Sequence, residues 1–340
     1  MKGKSVDLIG LRKPRGPEDG IALIVVLWGV ALLMMIALLF AGSVQLETRA
    51  TTDQKEATQA YGIACGGVQA ALFEMGYPLP SDLERPKFWT WRAGERQTVV
   101  PFPGGRAVLE IVNETGKVDL NFASDVQLQR LFEAHGLNAA RAGALAQAIL
   151  EWRKLAADDD ASRALDAYYT RLGYAARHAQ FGSVEEVMRV RGMSPEFFYG
   201  TLTVTPEGRI VPFGGVRDDL TIFAKTPAVN INYGSAAALE SVPGITPDLA
   251  AAIIRERVMN GPYRSMDDAN LRLSAALPDE SVSYLTTAEG SFYSVVAVGE
   301  VAGSRVRRVV KALLSTRASG GAPARIVLWY DVDPSEEGIG

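Results

Sequence analysis

Residues 20–42 read Gly-Ile-Ala-Leu-Ile-Val-Val-Leu-Trp-Gly-Val-Ala-Leu-Leu-Met-Met-Ile-Ala-Leu-Leu-Phe-Ala-Gly, and no charged residue occurs between Asp19 and Glu47. A helix over 21–42 reaches about 33 Å at about 1.5 Å per residue, enough to cross a hydrocarbon core of about 30 Å. Upstream, Lys2, Lys4, Arg12, Lys13 and Arg15 outweigh Asp7, Glu18 and Asp19, whereas the first charges downstream (Glu47, Arg49, Asp53, Lys55, Glu56) sum to −1. By the positive-inside rule the N-terminus stays in the cytoplasm and everything after residue 42 is exported. A secretory signal would have a shorter apolar core followed by an A-x-A-like site, and none follows cleanly here.

Past the apolar run, Ala57, Tyr61, Ala64, Val68, Ala71 and Met75 recur at helical spacing, which predicts that the helix continues as an amphipathic stalk to about Gly76. Gly62, Gly66 and Gly67 weaken it, each by about 1 kcal/mol relative to Ala. The pattern then predicts strands over 97–102, 106–112, where Ala107, Leu109 and Ile111 alternate with Arg106, Val108 and Glu110, and 117–121, and again over 292–298, 305–314 and 325–332. Strands near both ends of the exported part suggest one sheet interrupted by an insertion.

The insertion, 118–282, is helical and repeats itself. Val118-Asp-Leu-Asn-Phe-Ala-Ser-Asp-Val-Gln-Leu128 aligns without a gap on Val229-Asn-Ile-Asn-Tyr-Gly-Ser-Ala-Ala-Ala-Leu239. A second echo runs from Val187-x-x-Val190-x-Gly192-Met-Ser-Pro-Glu196 to Leu239-x-x-Val242-x-Gly244-Ile-Thr-Pro-Asp248. In each, Gly can end one helix, Ser194 or Thr246 can cap the next, Pro fits its first position, and Glu196 or Asp248 favours its dipole. Residues 239–257 look like a helix-hairpin-helix, a module known for gripping DNA phosphates. Its second turn glycine is replaced by Thr246, and residues 229–273 carry four Arg against five acids. A structural hairpin therefore suits this segment better than a phosphate grip.

Composition narrows the function classes. The 340 residues are 48% apolar and 22% charged, too apolar for a disordered chain, and the net charge of −4 argues against a general nucleic-acid binder. Cys65 is the single cysteine, and His135 and His178 are the only histidines, which leaves no zinc or haem pattern. Cys65 reads as a packing residue beside the stalk stripe. Gly-x-Ser-x-Gly, Walker and His-Glu-x-x-His motifs are absent, so the chain reads as a non-enzyme. Trp28, Trp89, Trp91, Trp152 and Trp329 are scattered and read as packing residues.

The junction Gly20-Ile21, with a short charged leader before it and an apolar run after it, resembles the class III signal of pilins and pseudopilins. With Val118-Asp-Leu-Asn, Val229-Asn-Ile-Asn, Gly192-Met-Ser-Pro-Glu and Val242-Pro-Gly-Ile, the chain resembles the minor pseudopilin K family of type II secretion from about residue 20 to 310. The resemblance implies an α+β fold: a pilin-like long N-terminal transmembrane helix packed on an antiparallel sheet, with a large inserted α-helical domain of helix-hairpin-helix or SAM-like units. The expected divisions are a leader at 1–20, a membrane helix at 21–42 with its stalk to about 76, sheet segments at 77–117 and 283–340, and the insertion at 118–282. It implies cleavage between Gly20 and Ile21 by a prepilin peptidase, with N-methylation of Ile21. It also implies a single-pass inner-membrane protein in the lipid bilayer, its bulk periplasmic.

Ordinary pilins and pseudopilins carry a Glu at the fifth residue after the cut, where this chain has Val25. A carboxylate within a bilayer costs about 2.5–3.5 kcal/mol and needs a partner. In the family that partner is a neighbouring subunit's amine, so Val25 implies a place at the pseudopilus tip, priming assembly with minor pseudopilins I and J. The major pseudopilin and the inner-membrane assembly platform are the further implied partners; nucleic acid is not. A type IV pilus minor pilin, or a membrane-anchored helix-hairpin-helix DNA-binding protein of a DNA-uptake system, would share many of these features.

Calcium is associated with the family, but the local pattern departs from it. Lys154 and Ala156 stand where acids are expected, and Leu165 where a Glu is. Asp158, Asp159, Asp160 and Asp166 remain as candidate oxygen donors, though adjacent acids also suit a solvated turn.

Overall fold

The computed structural model describes residues 18–76, 97–204, 210–273, 276–316 and 324–332. The chain divides into two units, residues 1–56 and 57–340. In the first, the described residues are all helical and belong to α1 (Glu18–Gly76), whose C-terminal part lies in the second.

In the second unit, β1 (Gln97–Phe102) and β2 (Gly105–Asn113) form a hairpin around Pro103-Gly104. Next come β3 (Val118–Asp119), α2 (Asp125–Ala134), α3 (Ala139–Arg153), α4 (Asp160–Arg171), α5 (Pro195–Tyr199), β4 (Gly200–Val204), β5 (Ile210–Gly214) and β6 (Leu220–Thr221). β7 (Val229–Asn230), α6 (Ala236–Glu240), α7 (Pro247–Asn260), α8 (Met266–Arg272) and β8 (Leu285–Thr286) follow. β9 (Phe292–Val301), β10 (Arg307–Ser315) and β11 (Arg325–Val332) complete the order. The main sheet has five strands in the order β1-β2-β9-β10-β11, all antiparallel, so the insertion leaves the sheet after β2 and re-enters it at β9.

The sheet presents one apolar face to α1. Ala107, Leu109 and Ile111 of β2, Tyr293, Val295 and Ala297 of β9, and Val310, Ala312 and Leu314 of β10 share a core with Ile63, Ala64, Val68 and Ala71. Strand alternation produces this face and helical period produces its partner. The buried stripe is turned slightly from the expected one: Ala60 and Ile63 are in, and Tyr61 is 37% exposed at the rim. Close approach explains the turn. A Cβ on Gly67 would lie 2.7 Å from Ala107 Cβ, and one on Gly299 would lie 1.9 Å from the Ala60 carbonyl oxygen. Glycines that cost helix propensity thus let helix and sheet touch at backbone distance.

Three sequence expectations need correction. The strand expected over 117–121 is only Val118–Asp119, and it pairs in parallel with Leu220–Thr221 inside the insertion rather than returning to the main sheet. The insertion is not purely helical, because β4 and β5 form an antiparallel hairpin within it. In the second echo, the segment before Gly192 is a 3-10 turn, Val184–Arg189, and α5 after it has 5 residues. Ser194 and Thr246 do cap their helices, accepting from the backbone N–H of Phe197 and Leu249.

The first repeat proves to be one hydrogen-bond scheme used twice. Asn121 exchanges two bonds with the backbone of Phe181, and Asn232 does the same with Tyr263. Arg153 at the end of α3 donates to the carbonyls of Leu120 and Ala123; Arg257 on α7 donates to those of Ile231 and Gly234. Ser124 and Ser235 cap α2 and α6. Around this scheme lies a second apolar core, with Phe132, Trp152, Tyr169 and Phe198 among its largest side chains.

Candidate functional site

For a chain without a catalytic motif, the parts able to work are the apolar helix, the joint that fixes the insertion to the sheet, and the hairpins of the insertion.

Residues Ile24–Ala41 of α1 have a mean hydropathy of 2.8 and none of this stretch is buried, so it is long and apolar enough to cross a membrane. Val25 is 64% exposed, an apolar side chain where a carboxylate would need a partner. Gly20 and Ile21 fall in the first turns of α1, but their side chains lie outside the described residues, as do residues 1–17 and the side chains of Trp89 and Trp91.

In the second unit, α1 is tied to the edge strand as well as to the core. The Tyr61 hydroxyl donates to Asp331 (3.1 Å), and the Trp329 indole donates to the same carboxylate (3.0 Å). Cys65 is half-buried there, and burial pushes its thiol pKa up, the direction of an inert packing residue.

Two short crossings join sheet and insertion. In the first, Glu114 is 3% exposed and its carboxylate accepts from Thr221 (2.5 Å), Ser294 (2.5 Å) and Lys117 (2.7 Å). One buried anion thus links β6 of the insertion to β9 of the sheet, with a lysine to balance it. In the second, Glu289 accepts from Tyr233 (2.5 Å) and Tyr293 (2.7 Å), and Asn113 exchanges two hydrogen bonds with the backbone of Gly290. Desolvation and the adjacent Glu289 raise the Tyr293 pKa, so its phenol remains a donor at neutral pH.

His135 caps α2, and its partner is a side chain rather than the helix carbonyls alone: Nε2 lies 2.8 Å from Asp219, whose other oxygen accepts from Ser235 (2.5 Å). Here the carboxylate sits between Ser and His, so the histidine cannot act as a base on the serine.

The α6–α7 hairpin has the helix-hairpin-helix form, with Gly244 at φ +81° in the turn. A Cβ there would lie 2.6 Å from Glu280 Oε1 and 2.9 Å from Pro278, so an acid closes the turn where a phosphate would approach. Arg130 of α2 donates to the Glu240 (2.9 Å) and Ile245 (2.5 Å) carbonyls behind it. Arg257 is buried on backbone carbonyls, and Arg272 pairs with Glu256 and Asp268 while stacking on Tyr263 at 4.4 Å. Arg130, Arg257 and Arg272 are thus engaged within the chain, while Arg255 and Arg264 are exposed.

The four candidate oxygen donors are dispersed. Asp158 and Asp160 both pair with Arg163, Asp159 caps α4 through the Ser162 N–H, and Asp166 pairs with His178. Among the described residues, no group of three or more His, Cys, Asp or Glu side chains is arranged to hold a metal ion. The donor set does not fit the calcium implied by the family resemblance.

Residues 108–202 match the family described as Type II secretion system (T2SS), protein K, and residues 224–271 match the Helix-hairpin-helix motif family HHH_3. Among solved structures, the chain is similar to a chain of the crystal structure of the GspK-GspI-GspJ complex from the enterotoxigenic Escherichia coli type 2 secretion system. The likeness has a TM-score of 0.54 and 14% identity over 84% of this chain and 99% of that one. Comparison with curated proteins gives no match. The sheet with its α-helical insertion is therefore a fold found in that complex, and the protein K resemblance read from the sequence is met again over 108–202.

Proposed function

We propose that this chain, a type II secretion protein K by its matched domain and its fold, is a non-enzymatic minor pseudopilin that primes pseudopilus assembly from the filament tip. The single observation that carries the reading is the protein K match over 108–202 in a chain that also has an apolar helix of membrane-crossing length. Val25 supports the tip position, because a subunit without the buried carboxylate has no docking group to offer to a subunit ahead of it. Partners follow from the same reading: minor pseudopilins I and J beside it, the major pseudopilin below, and the assembly platform and prepilin peptidase at the inner membrane. The body would be periplasmic, with the N-terminus in the cytoplasm.

Co-expression of the full chain with minor pseudopilins I and J of the same organism, followed by affinity purification in detergent, tests the reading. All three are expected in one complex, and recovery of this chain alone under conditions that preserve other pseudopilin complexes would overturn it. The helix-hairpin-helix match favours a second reading, DNA binding. Glu280 at the turn and the internal pairing of Arg257 and Arg272 oppose it. DNA retention that falls steeply with salt would restore it.

A further inference from the structure

From Glu151 near the end of α3 to Asp166 within α4, five carboxylates lie close in sequence, and each meets a nitrogen of this chain. Glu151 pairs with Arg191 (3.1 Å), Asp158 and Asp160 pair with the two Nη atoms of Arg163 (2.5 and 2.7 Å), and Asp159 accepts from the Ser162 backbone (2.7 Å). Asp166 lies 2.9 Å from His178 Nε2.

His178 holds the two ends together. Its backbone adopts φ +51°, a conformation that L residues rarely take, and its Nδ1 lies 3.1 Å from the Lys154 carbonyl while Nε2 meets Asp166. The ring therefore spans one main-chain carbonyl and one carboxylate. A calcium ion gathers the same two kinds of oxygen. Glu151, Lys154, His178 and Arg191 also line one cavity of about 250 Å³ beside the loop.

We propose that Arg163 and His178 hold the α3–α4 loop together through their contacts, and that its fold requires no divalent ion. Arg163 gathers the aspartates at the start of α4, and His178 ties the end of α3 to the middle of α4. An ion entering the loop would have to displace both. The assembly reading supplies only the expectation of calcium, and its failure would leave the following readouts unchanged.

The test uses the full chain in detergent micelles, with millimolar calcium or with a chelator, read by thermal unfolding and by tryptic cleavage after Lys154. The wild type is expected to melt at the same temperature and to be cut at the same rate in both. The double variant Arg163→Gln, His178→Gln is expected to be cut several-fold faster in both. A calcium-dependent rise of about 3 °C or more in the wild-type midpoint, the scale of a saturating ligand on a body of this size, would overturn the proposal. So would a folded double variant cut no faster than wild type. Should that variant fail to fold, the wild-type comparison decides alone.

Discussion

Asp119 and Asn230 occupy matching places in the repeat and differ by the atoms they face. Both accept from the backbone two residues on, at Asn121 (2.8 Å) and Asn232 (2.9 Å). The second oxygen of Asp119 accepts from the Lys225 N–H (2.8 Å), whereas the amide of Asn230 donates to the Ala288 carbonyl (2.9 Å). A donor calls for a carboxylate and an acceptor for an amide. Asp119→Asn would set two N–H groups against each other, at a cost of about 1–3 kcal/mol by denaturant unfolding. Burial, outweighing the bonds from Lys225 and Asn121 and the charge of Arg153, raises the Asp119 pKa. With the folded pKa above the unfolded one, the native state keeps the proton longer, so this contribution is complete below the ordinary carboxylate pKa and is lost as pH rises through the raised one. The stability advantage of wild type over Asp119→Asn should therefore shrink as pH rises from about 4; an advantage that grows with pH would contradict this. The Val-Asp-Leu-Asn and Val-Asn-Ile-Asn motifs were legible as a repeat in the sequence, but the distinction between their second residues was not, because Lys225 and Ala288 are brought to them only by the fold.

At the level of elements, strands were legible wherever alternation ran long enough. The strands expected over 97–102 and 325–332 stand as β1 and β11, each bordering a Gly- or Pro-containing stretch. Two-residue strands such as β3 and β7 carry no period of their own and form because a partner strand lies beside them. The β4–β5 hairpin had a signal, Thr201-Leu-Thr-Val before Pro206-Glu-Gly208, that the surrounding helical pattern outweighed. Arg257, one of four arginines in a segment read for charge, proved to be a clamp, and only its recurrence as Arg153 at the end of α3 exposes the rule. Arg257→Met leaves the Ile231 and Gly234 carbonyls buried without this donor, and should cost about 3 kcal/mol in chemical unfolding. Arg255→Met, exposed on the same helix, should stay within about 0.5 kcal/mol. Equal effects from the two would remove the clamp from the account.

For the whole molecule, function follows from what each part leaves available. The apolar stretch of α1 buries nothing within the chain and is of membrane-crossing length. The sheet binds the stalk through small residues, and the two crossings fix the insertion with Glu114 and Glu289, so residues 57–340 form one unit. In the helical hairpin, Glu280 lies beside Gly244 of the turn, and Arg257 and Arg272 are held within the chain. What remains to act is the surface of a body that carries an apolar helix of membrane-crossing length, which suits the proposed assembly role. The apolar run was legible in the sequence; the leader expected before it lies largely outside the described residues. The partner surfaces were not legible, because complementarity to another chain leaves no period or motif within this one.

The central claim, that the chain enters a filament by the pseudopilin route, is tested most directly by the N-terminal mass of the protein purified from membranes that contain the cognate prepilin peptidase. The account predicts a chain that begins at N-methylated Ile21. A chain still carrying residues 1–20 in the presence of active peptidase would contradict it and leave a plain signal-anchored protein.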